Sequence, residues 1–297
     1  MPKPAPARER TQARTSAASA TSREDFFVRF RGVRGTVACP GAEYARYGGN
    51  TSCLEIRCAG HLFILDAGTG LRALGAELDA AGTVDTDILL THTHIDHIAG
   101  MPFFIPLFKT GNRLRIHAGH LWDNDVRLRD VFLRLIEAPI FPVPLEAVGA
   151  EISFEEFRAG DRLNLRPGVS ILTAPLNHPN GATGYRIEWD GRSICYVTDT
   201  EHVEGEIDTN ILGLIEGTDL FVYDATYTAA EYPAFKGWGH STWEAGAALA
   251  RRGGVGRYVI FHHAPEHTDD DMDRIADEAQ GVFASTVVAR EGLVLHP

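Results

Sequence analysis

The chain has 297 residues, of which 44% are hydrophobic and 23% are charged, and this composition is typical of a soluble globular protein with a sizeable buried core. No stretch approaches the roughly 18 consecutive apolar residues that a membrane span requires, and the formal net charge of -12 disfavours a surface built to hold long nucleic acid. The four cysteines form no CxxC pair and are too few to suggest a disulfide framework, which predicts a reducing, cytoplasmic setting.

The chain begins with a segment of biased composition. Residues 1–24 are rich in Ala, Pro, Ser, Thr and Arg and lack apolar periodicity, so they cannot bury enough surface to offset the entropic cost of ordering. We therefore predict a disordered N-terminal tail. Over residues 25–297, short apolar runs alternate with helical stretches and no long linker intervenes, which predicts a single layered α/β domain.

The spacing of apolar residues locates the elements of that domain. The predicted strands cover 26–30, 51–57, 62–66, 87–91, 113–117, 169–174, 185–189, 193–198, 220–224, 257–261 and 286–289. The predicted helices cover 70–81, 123–137, 242–252 and 269–283. Asp190-Gly191 predicts a hairpin turn, because glycine accepts positive φ at no steric cost. Ser241 followed by Glu244 predicts a capping box that starts a helix just after His240.

Two apolar segments broken by prolines, 101–108 and 138–144, lie outside this pattern. They are consistent with a pocket wall or with the surface of a homodimer. They are equally consistent with irregular segments that pack on the core, because aromatic clusters more often serve cores than sites. The sequence leaves these alternatives open.

A dense group of polar side chains follows the apolar run 88–90. His92, His94, Asp96 and His97 place three imidazoles and one carboxylate within six positions. Burying such groups at the mouth of a strand is costly unless they share a cation. Imidazole and carboxylate ligands suit zinc, manganese or iron, so the segment predicts a metal site.

This segment resembles the HxHxDH motif of the metallo-β-lactamase superfamily. Further landmarks follow in the order that the superfamily shows: Asp66 at the end of an early strand, His178 before a glycine-containing turn, Asp199 after 195–198, and His262 after 258–261. The resemblance covers about residues 28–264. It implies an α/β fold, a single-domain four-layer αββα sandwich, and a binuclear metal-dependent hydrolase.

The resemblance also implies roles for individual residues. The first metal would be held by His92, His94, His178 and Asp199, and the second by Asp96, His97, His262 and the shared Asp199. Asp66 would orient the metal histidines, and a hydroxide bridging the two metals would be the nucleophile. Zinc is the default metal, with manganese or iron as alternatives. His263 is the fallback ligand, because adjacent side chains of a strand point to opposite faces.

The segment 239–242 at the start of a predicted helix, with 220–227 upstream, is similar to the phosphodiesterase branch of this superfamily. That branch includes tRNA 3′-processing endonucleases and PhnP-like phosphodiesterases. The similarity implies that His240 lies near the scissile phosphate, and imidazole titrates close enough to neutral pH to protonate an alkoxide leaving group. His240 is therefore the candidate general acid. The structural alternative is that His240 only precedes a helix cap and packs against Trp238 or Trp243.

The departures from the endonucleases favour a small substrate. The chain has no Gly/Pro-rich arm of the kind those enzymes use to hold tRNA, and Asp224 stands where their motif has glutamate. We expect a cyclic or short nucleotide, or another small phosphodiester, as the substrate. Hydrolysis of a carboxylic ester, lactone or β-lactam remains an alternative, as does a non-catalytic nucleotide-binding protein. Candidate phosphate contacts are 31–35, 48–52 and Arg72, and candidate faces for a base are Tyr227, Tyr232, Phe103 and Phe104.

Overall fold

A computed structural model describes residues 25–143, 145–203 and 205–297 of the chain. The tail predicted for residues 1–24 lies outside the described residues. The strands are β1 Phe26–Gly32, β2 Cys53–Cys58, β3 His61–Leu65, β4 Asp85–Leu90, β5 Arg113–Ala118, β6 Glu151–Glu156, β7 Arg162–Arg166, β8 Val169–Leu176, β9 Ala182–Trp189, β10 Arg192–Val197, β11 Leu220–Asp224, β12 Arg257–Phe261, β13 Thr286–Val288 and β14 Val294–Leu295. The helices are α1 Leu71–Ala81, α2 Ile95–Ile98, α3 Leu128–Leu135, α4 Thr209–Ile215, α5 Trp243–Gly253 and α6 Asp269–Val282.

The strands form two sheets of seven strands each. The order in the first sheet is β14-β1-β2-β3-β4-β5-β6, and the order in the second is β13-β12-β11-β10-β9-β8-β7. In each sheet, antiparallel strands are followed by a parallel set: β3 to β6 in the first sheet and β10 to β13 in the second. Parallel strands are normally covered on both faces, which predicts a helical layer outside each sheet.

Three apolar clusters show how the layers pack. The central cluster joins the facing sides of the two sheets, with Phe30 and Phe63 from the first sheet against Tyr196 and Phe261 from the second. A second cluster packs α1, α3 and the segment 101–107 on the outside of the first sheet. A third packs α4, α5 and α6 on the outside of the second sheet. The predicted single-domain αββα sandwich is confirmed.

None of the helices in the described ranges combines the length and apolarity that crossing a bilayer requires.

The candidate site residues follow the carboxyl ends of six strands of the sandwich. Strands β3 and β4 are parallel, and β8 has the same direction as β10, β11 and β12 because two antiparallel pairings separate β8 from β10. Each of these six strands ends at a candidate site residue or one or two positions before it. These residues are Asp66, His92, His178, Asp199, Asp224 and His262. Residues far apart in sequence therefore meet at one edge between the sheets.

Several local predictions were wrong. Strands β6, β7 and β14 and helices α2 and α4 were not predicted, and the helix predicted over 123–137 is confined to Leu128–Leu135. The predicted hairpin at Asp190-Gly191 is present, with both residues at positive φ, 51° and 73°. The predicted capping box is absent. Thr242 is the residue that caps α5, and its hydroxyl accepts from Ala245 N.

Candidate active site

Three of the predicted histidines form the first half of a polar cluster. Potential ligand atoms of His92, His94 and His178 all lie within 4.8 Å of one another. Nε2 of His178 is 3.1 Å from Nδ1 of His94, and the His92 ring centroid lies 4.4 Å from that of His94 and 4.7 Å from that of His178. Nδ1 of His178 donates to Gly239 O at 2.8 Å, which directs its Nε2 toward the other two rings.

The second half of the cluster contains Asp96, His97, Asp199 and His262, again with ligand atoms within 4.8 Å. Oδ2 of Asp199 is 3.2 Å from His97 Nε2 and 3.3 Å from His262 Nε2. Oδ1 of the same carboxylate lies 3.7 Å from His92 Nε2. The two oxygens of Asp199 thus face different halves of the cluster, which is the arrangement expected of a bridging carboxylate.

The cluster fits a bound cation. Nε2 atoms of His92, His97 and His262 are buried and have no hydrogen-bond partner, a costly state for polar atoms that a shared metal ion would relieve. Burial lowers the pKa of His92 well below its usual value, which leaves the imidazole neutral and able to bind metal. Burial also lowers the pKa of His97, but the carboxylates of Asp199 and Asp96 outweigh it and raise that pKa well above its usual value. These carboxylates therefore favour a positive charge at this point.

Three site residues adopt positive φ within two residues of a strand end: Asp66 at 58°, Asp199 at 57° and His262 at 61°. Such a conformation costs free energy for residues other than glycine, and it redirects the side chain at the strand end. Glycines leave space for the rings of two of the clustered histidines, His262 and His178. A Cβ atom on Gly35 would lie 2.4 Å from the ring of His262, and one on Gly239 would lie 2.4 Å from Nδ1 of His178.

Asp66 is fully buried and holds the cluster from behind. Its Oδ2 accepts from Nδ1 of His97 at 2.8 Å and from the hydroxyl of Tyr196 at 2.8 Å. Its Oδ1 accepts from Thr91 N at 2.8 Å. These contacts fix the His97 ring so that Nε2 points at Asp199. Asp66 thus lies behind the cluster against His97 and does not line the cleft beside it, and its role in orienting the metal histidines stays a prediction.

His240 stands beside the cluster and is oriented by a carboxylate. Its Nδ1 is 3.1 Å from Oδ2 of Asp224 and 3.8 Å from Oδ1 of Asp199, and its ring stacks on that of His262 at 4.9 Å. Thr226 and Thr200 donate to Asp224 and fix it in turn. Burial lowers the pKa of His240, but Asp224 and the other carboxylates outweigh burial and raise it to about 9.

A cleft of about 300 Å³ opens onto this arrangement. Of the predicted site residues it exposes His94, Asp96, Asp199 and His240. A larger hollow of about 730 Å³ lies between α4 and α5, and none of the clustered ligand residues lines it. We therefore place the candidate active site in the smaller cleft, where the polar atoms converge.

The structure separates the remaining candidates. His263 points away from the cluster and donates to Ala289 O at 2.8 Å, so His262 is the histidine that joins the site. Tyr227 lines the cleft, but Tyr232 does not, Phe104 is fully buried, and Phe103 lines a separate hollow with Arg72. The expectation that Tyr232, Phe103 and Phe104 offer faces to a base was therefore wrong.

The expectation that Arg31 and Arg34 contact phosphate was also wrong. Arg31 is engaged by Glu55 and Glu77, and Arg34 is buried, where it donates to backbone carbonyls. The next part of the chain contributes a backbone group instead, because Thr36 N donates to Oδ2 of Asp96 at 2.8 Å.

Several residues of the cleft wall were not predicted from the sequence, among them Ile95, Phe235, Trp238 and Glu266. Glu201, which accepts from Tyr232 Oη, Gly237 N and Gly239 N, was not predicted either. The only signal in the sequence was the concentration of aromatic residues over 227–238, and no spacing rule connects such a loop to a site.

Residues 61–263 match the Beta-lactamase superfamily domain. The chain belongs to this family. Ribonuclease Z of Treponema pallidum (strain Nichols) is 23% identical over 290 residues, which cover 81% of this chain and 89% of the relative. The crystal structure of the metallo-beta-lactamase fold protein YhfI from Bacillus subtilis has a TM-score of 0.67 and 19% identity, and covers 91% of this chain and 99% of that chain. The crystal structure of a diphosphatase from the PhnP family has a TM-score of 0.67 and 18% identity, and covers 92% of this chain and 98% of that chain.

The prediction of a metallo-β-lactamase-fold hydrolase is confirmed by this family match. The matched range contains Asp66, the segment 92–97, His178, Asp199 and His262. Ribonuclease Z is among the sequence relatives of this superfamily member, and the PhnP-family diphosphatase shares its fold.

Proposed function

We propose that this superfamily member hydrolyses phosphodiesters with two divalent cations, zinc by default, held by the clustered side chains. His92, His94, His178 and Asp199 would hold the first cation, and Asp96, His97, His262 and the shared Asp199 the second. Bound there, the cations would lower the pKa of a water molecule to supply the nucleophile, and would offset the negative charge of the diester.

The observation that carries the choice of a phosphodiester is the Asp224–His240 pair beside the cluster. The metal ligands alone would serve carbonyl substrates as well. Breaking a P–O bond to an alcohol expels an alkoxide, which needs a proton, and an oriented imidazolium supplies one. Asp224 accepts from Nδ1 of His240, which leaves Nε2 as the atom that donates to the leaving oxygen.

The cleft supports a small diester over a long RNA. Its volume is about 300 Å³, and among the described residues that line it there is neither lysine nor arginine. Long nucleic acids are normally held through many contacts between cationic side chains and phosphates. The net charge of -12 opposes such binding further. The relative named ribonuclease Z makes RNA the main competing substrate.

The proposal is tested on zinc-loaded protein after its metal content has been counted. We expect two metals per chain and turnover of bis(4-nitrophenyl) phosphate, lost after chelation and in Asp199→Ala. His240→Ala should lower kcat about 10²- to 10⁴-fold for a diester with an alkyl leaving group. It should lower kcat much less for 4-nitrophenyl esters, because nitrophenolate leaves without a proton.

The matched control is His61→Ala, since His61 lies at the start of β3, at the end opposite Asp66. It should leave both rates unchanged. Equal losses for alkyl and nitrophenyl leaving groups in His240→Ala would remove the general-acid role. Preference for a carboxylic ester, lactone or β-lactam over every diester would replace the proposed reaction with carbonyl hydrolysis. Nucleotide binding without turnover would indicate the non-catalytic alternative.

A further inference from the structure

We propose that Tyr227, Phe235 and Trp238 form an aromatic shelf that binds a flat ring carried by the leaving group of the substrate. This inference rests on the proposed phosphodiester hydrolysis and narrows its substrate class. The substrate would be a phosphodiester whose leaving alcohol carries a nucleobase or an aryl ring.

The shelf is a group of three contacting aromatic rings in the wall of the cleft, in which Tyr227 is buried, Phe235 is partly buried and Trp238 is the exposed member. The rings of Tyr227 and Phe235 stack with centroids 4.5 Å apart and an interplanar angle of 4°, and Trp238 meets Phe235 edge-on at 5.4 Å. Trp238 is 63% exposed, and all three residues line the same cleft as Asp199 and His240. Aromatic faces open to a cleft bind nucleobases by stacking, since every base has a π face.

The segment that carries the shelf is fixed before any substrate binds. Glu201 accepts from Tyr232 Oη at 2.7 Å, Gly237 N at 2.7 Å and Gly239 N at 2.9 Å. Burial raises the pKa of Glu201, but these three hydrogen bonds outweigh it and lower that pKa, so the carboxylate stays charged. Because Gly239 O accepts from His178 Nδ1, the segment is also attached to the metal-ligand cluster.

The position of the shelf assigns the ring to the leaving group. The Tyr227 ring lies 6.1 Å from the His240 ring, and Tyr227 N donates to Ser241 O, so the shelf begins next to the proposed general acid. In the reaction, water attacks phosphorus, the P–O bond to the leaving alcohol breaks, and a proton from His240 neutralises the departing oxygen. The group that departs on the His240 side therefore lies against the shelf.

An unsymmetrical substrate tests this assignment directly. Zinc-loaded protein should cleave adenosine 5′-methyl phosphate to adenosine and methyl phosphate, because the base occupies the shelf and the nucleoside departs. Formation of adenosine 5′-phosphate and methanol as the main products would overturn the assignment.

Variants separate stacking from chemistry. Trp238→Ala should raise KM for this substrate about tenfold with little change in kcat, and Trp238→Phe should restore most of the loss. Trp122→Ala is the matched control, because Trp122 is 49% exposed and does not line the cleft. An unchanged KM in Trp238→Ala, or an equal rise in Trp122→Ala, would contradict the shelf.

A binding measurement makes the test independent of turnover. In calorimetric titration, adenosine should bind to the wild-type protein and ribose should not, and Trp238→Ala should lose adenosine binding. If no diester is hydrolysed while adenosine still binds through Trp238, the proposed function fails and the shelf stands. If diesters are hydrolysed and adenosine does not bind, the shelf fails and the proposed function stands.

Discussion

Asp66 touches no part of the cleft, yet four donor atoms converge on its carboxylate: Thr91 N, Thr91 Oγ1, His97 Nδ1 and Tyr196 Oη. A carboxylate that accepts from the second ring nitrogen of a metal-binding histidine fixes the tautomer and the orientation of the ring, and it raises the basicity of the imidazole. Asp66 would thus act on the proposed metal site through His97.

We predict that Asp66→Asn lowers metal affinity about 10- to 100-fold, because the amide holds the His97 tautomer less well. The substitution keeps the backbone, since asparagine tolerates the positive φ of this position. Zinc affinity would be measured by competition with a chromophoric chelator. Asp190→Asn is the matched control, being an aspartate at positive φ in a distant hairpin. Equal zinc affinity in the wild-type protein and Asp66→Asn would contradict the orienting role.

At the scale of single residues, the sequence predicted those whose chemistry shows in their spacing. His92, His94, Asp96 and His97 form a motif that has few other physical explanations. Trp238 and Glu201 could not be predicted in this way. Their roles depend on how the segment 227–239 folds over the cleft, and neither residue type is specific to such a position.

At the scale of elements, the start of α5 shows how one hydroxyl can replace another. The Ser241 hydroxyl, predicted to cap this helix, accepts from Tyr223 Oη at 2.9 Å and lies 3.1 Å from His202 Nδ1. The Glu244 carboxylate, the predicted second half of the box, accepts from Ala229 N instead. Thr242 therefore makes the cap hydrogen bond to Ala245 N at 3.1 Å.

We predict that Thr242→Ala destabilises the protein by about 1 kcal/mol, the usual cost of losing a helix N-cap. The measurement is equilibrium urea unfolding of metal-free protein, so that metal binding does not contribute. Thr110→Ala, at an exposed position outside the helices and strands, should change stability by less than about 0.5 kcal/mol. No difference between the two variants would show that Thr242 is not the cap.

The elements that sequence predicted well are those with continuous apolar runs. Strands β11 and β12 have the predicted bounds because nearly every residue in them is buried. Strands β6 and β7 are half exposed and carry charged residues, so their sequences resemble loops, and pairing with β5 and β8 makes them strands. Helix α4 was not predicted because it is only seven residues long, although its N-cap residue, Asp208, is of a type that commonly caps helices.

At the scale of the whole molecule, the two sheets are joined by charge as well as by the central apolar cluster. Asp87 on β4 is buried and accepts from Arg115 Nε at 2.8 Å and His117 Nε2 at 3.0 Å within the first sheet. It also accepts from Arg166 Nε at 2.6 Å, which belongs to β7 at the edge of the second sheet. Asp85 contacts both arginines from a more exposed position.

We predict that Asp87→Asn destabilises the protein by about 3 kcal/mol, because removing the charge of buried Asp87 leaves two partly buried guanidinium groups with less counter-charge. This loss of stability lies at the low end of the range for breaking a buried ion pair, because Asp85 still contacts both guanidinium groups. Glu151→Gln is the control. It removes the exposed partner of Arg113 in the same sheet and should cost less than about 1 kcal/mol. Urea unfolding of the metal-free proteins measures both.

The same variant separates stability from the site. Asp87 precedes His92 by five positions on the strand that leads to the metal-ligand cluster, and none of its partners belongs to that cluster. In the folded, zinc-loaded protein at 25 °C, kcat/KM should therefore stay within about twofold of wild type while the unfolding midpoint falls. A large loss of kcat/KM with unchanged stability would mean that the charge cluster positions β4 and His92 and does not hold the two sheets together.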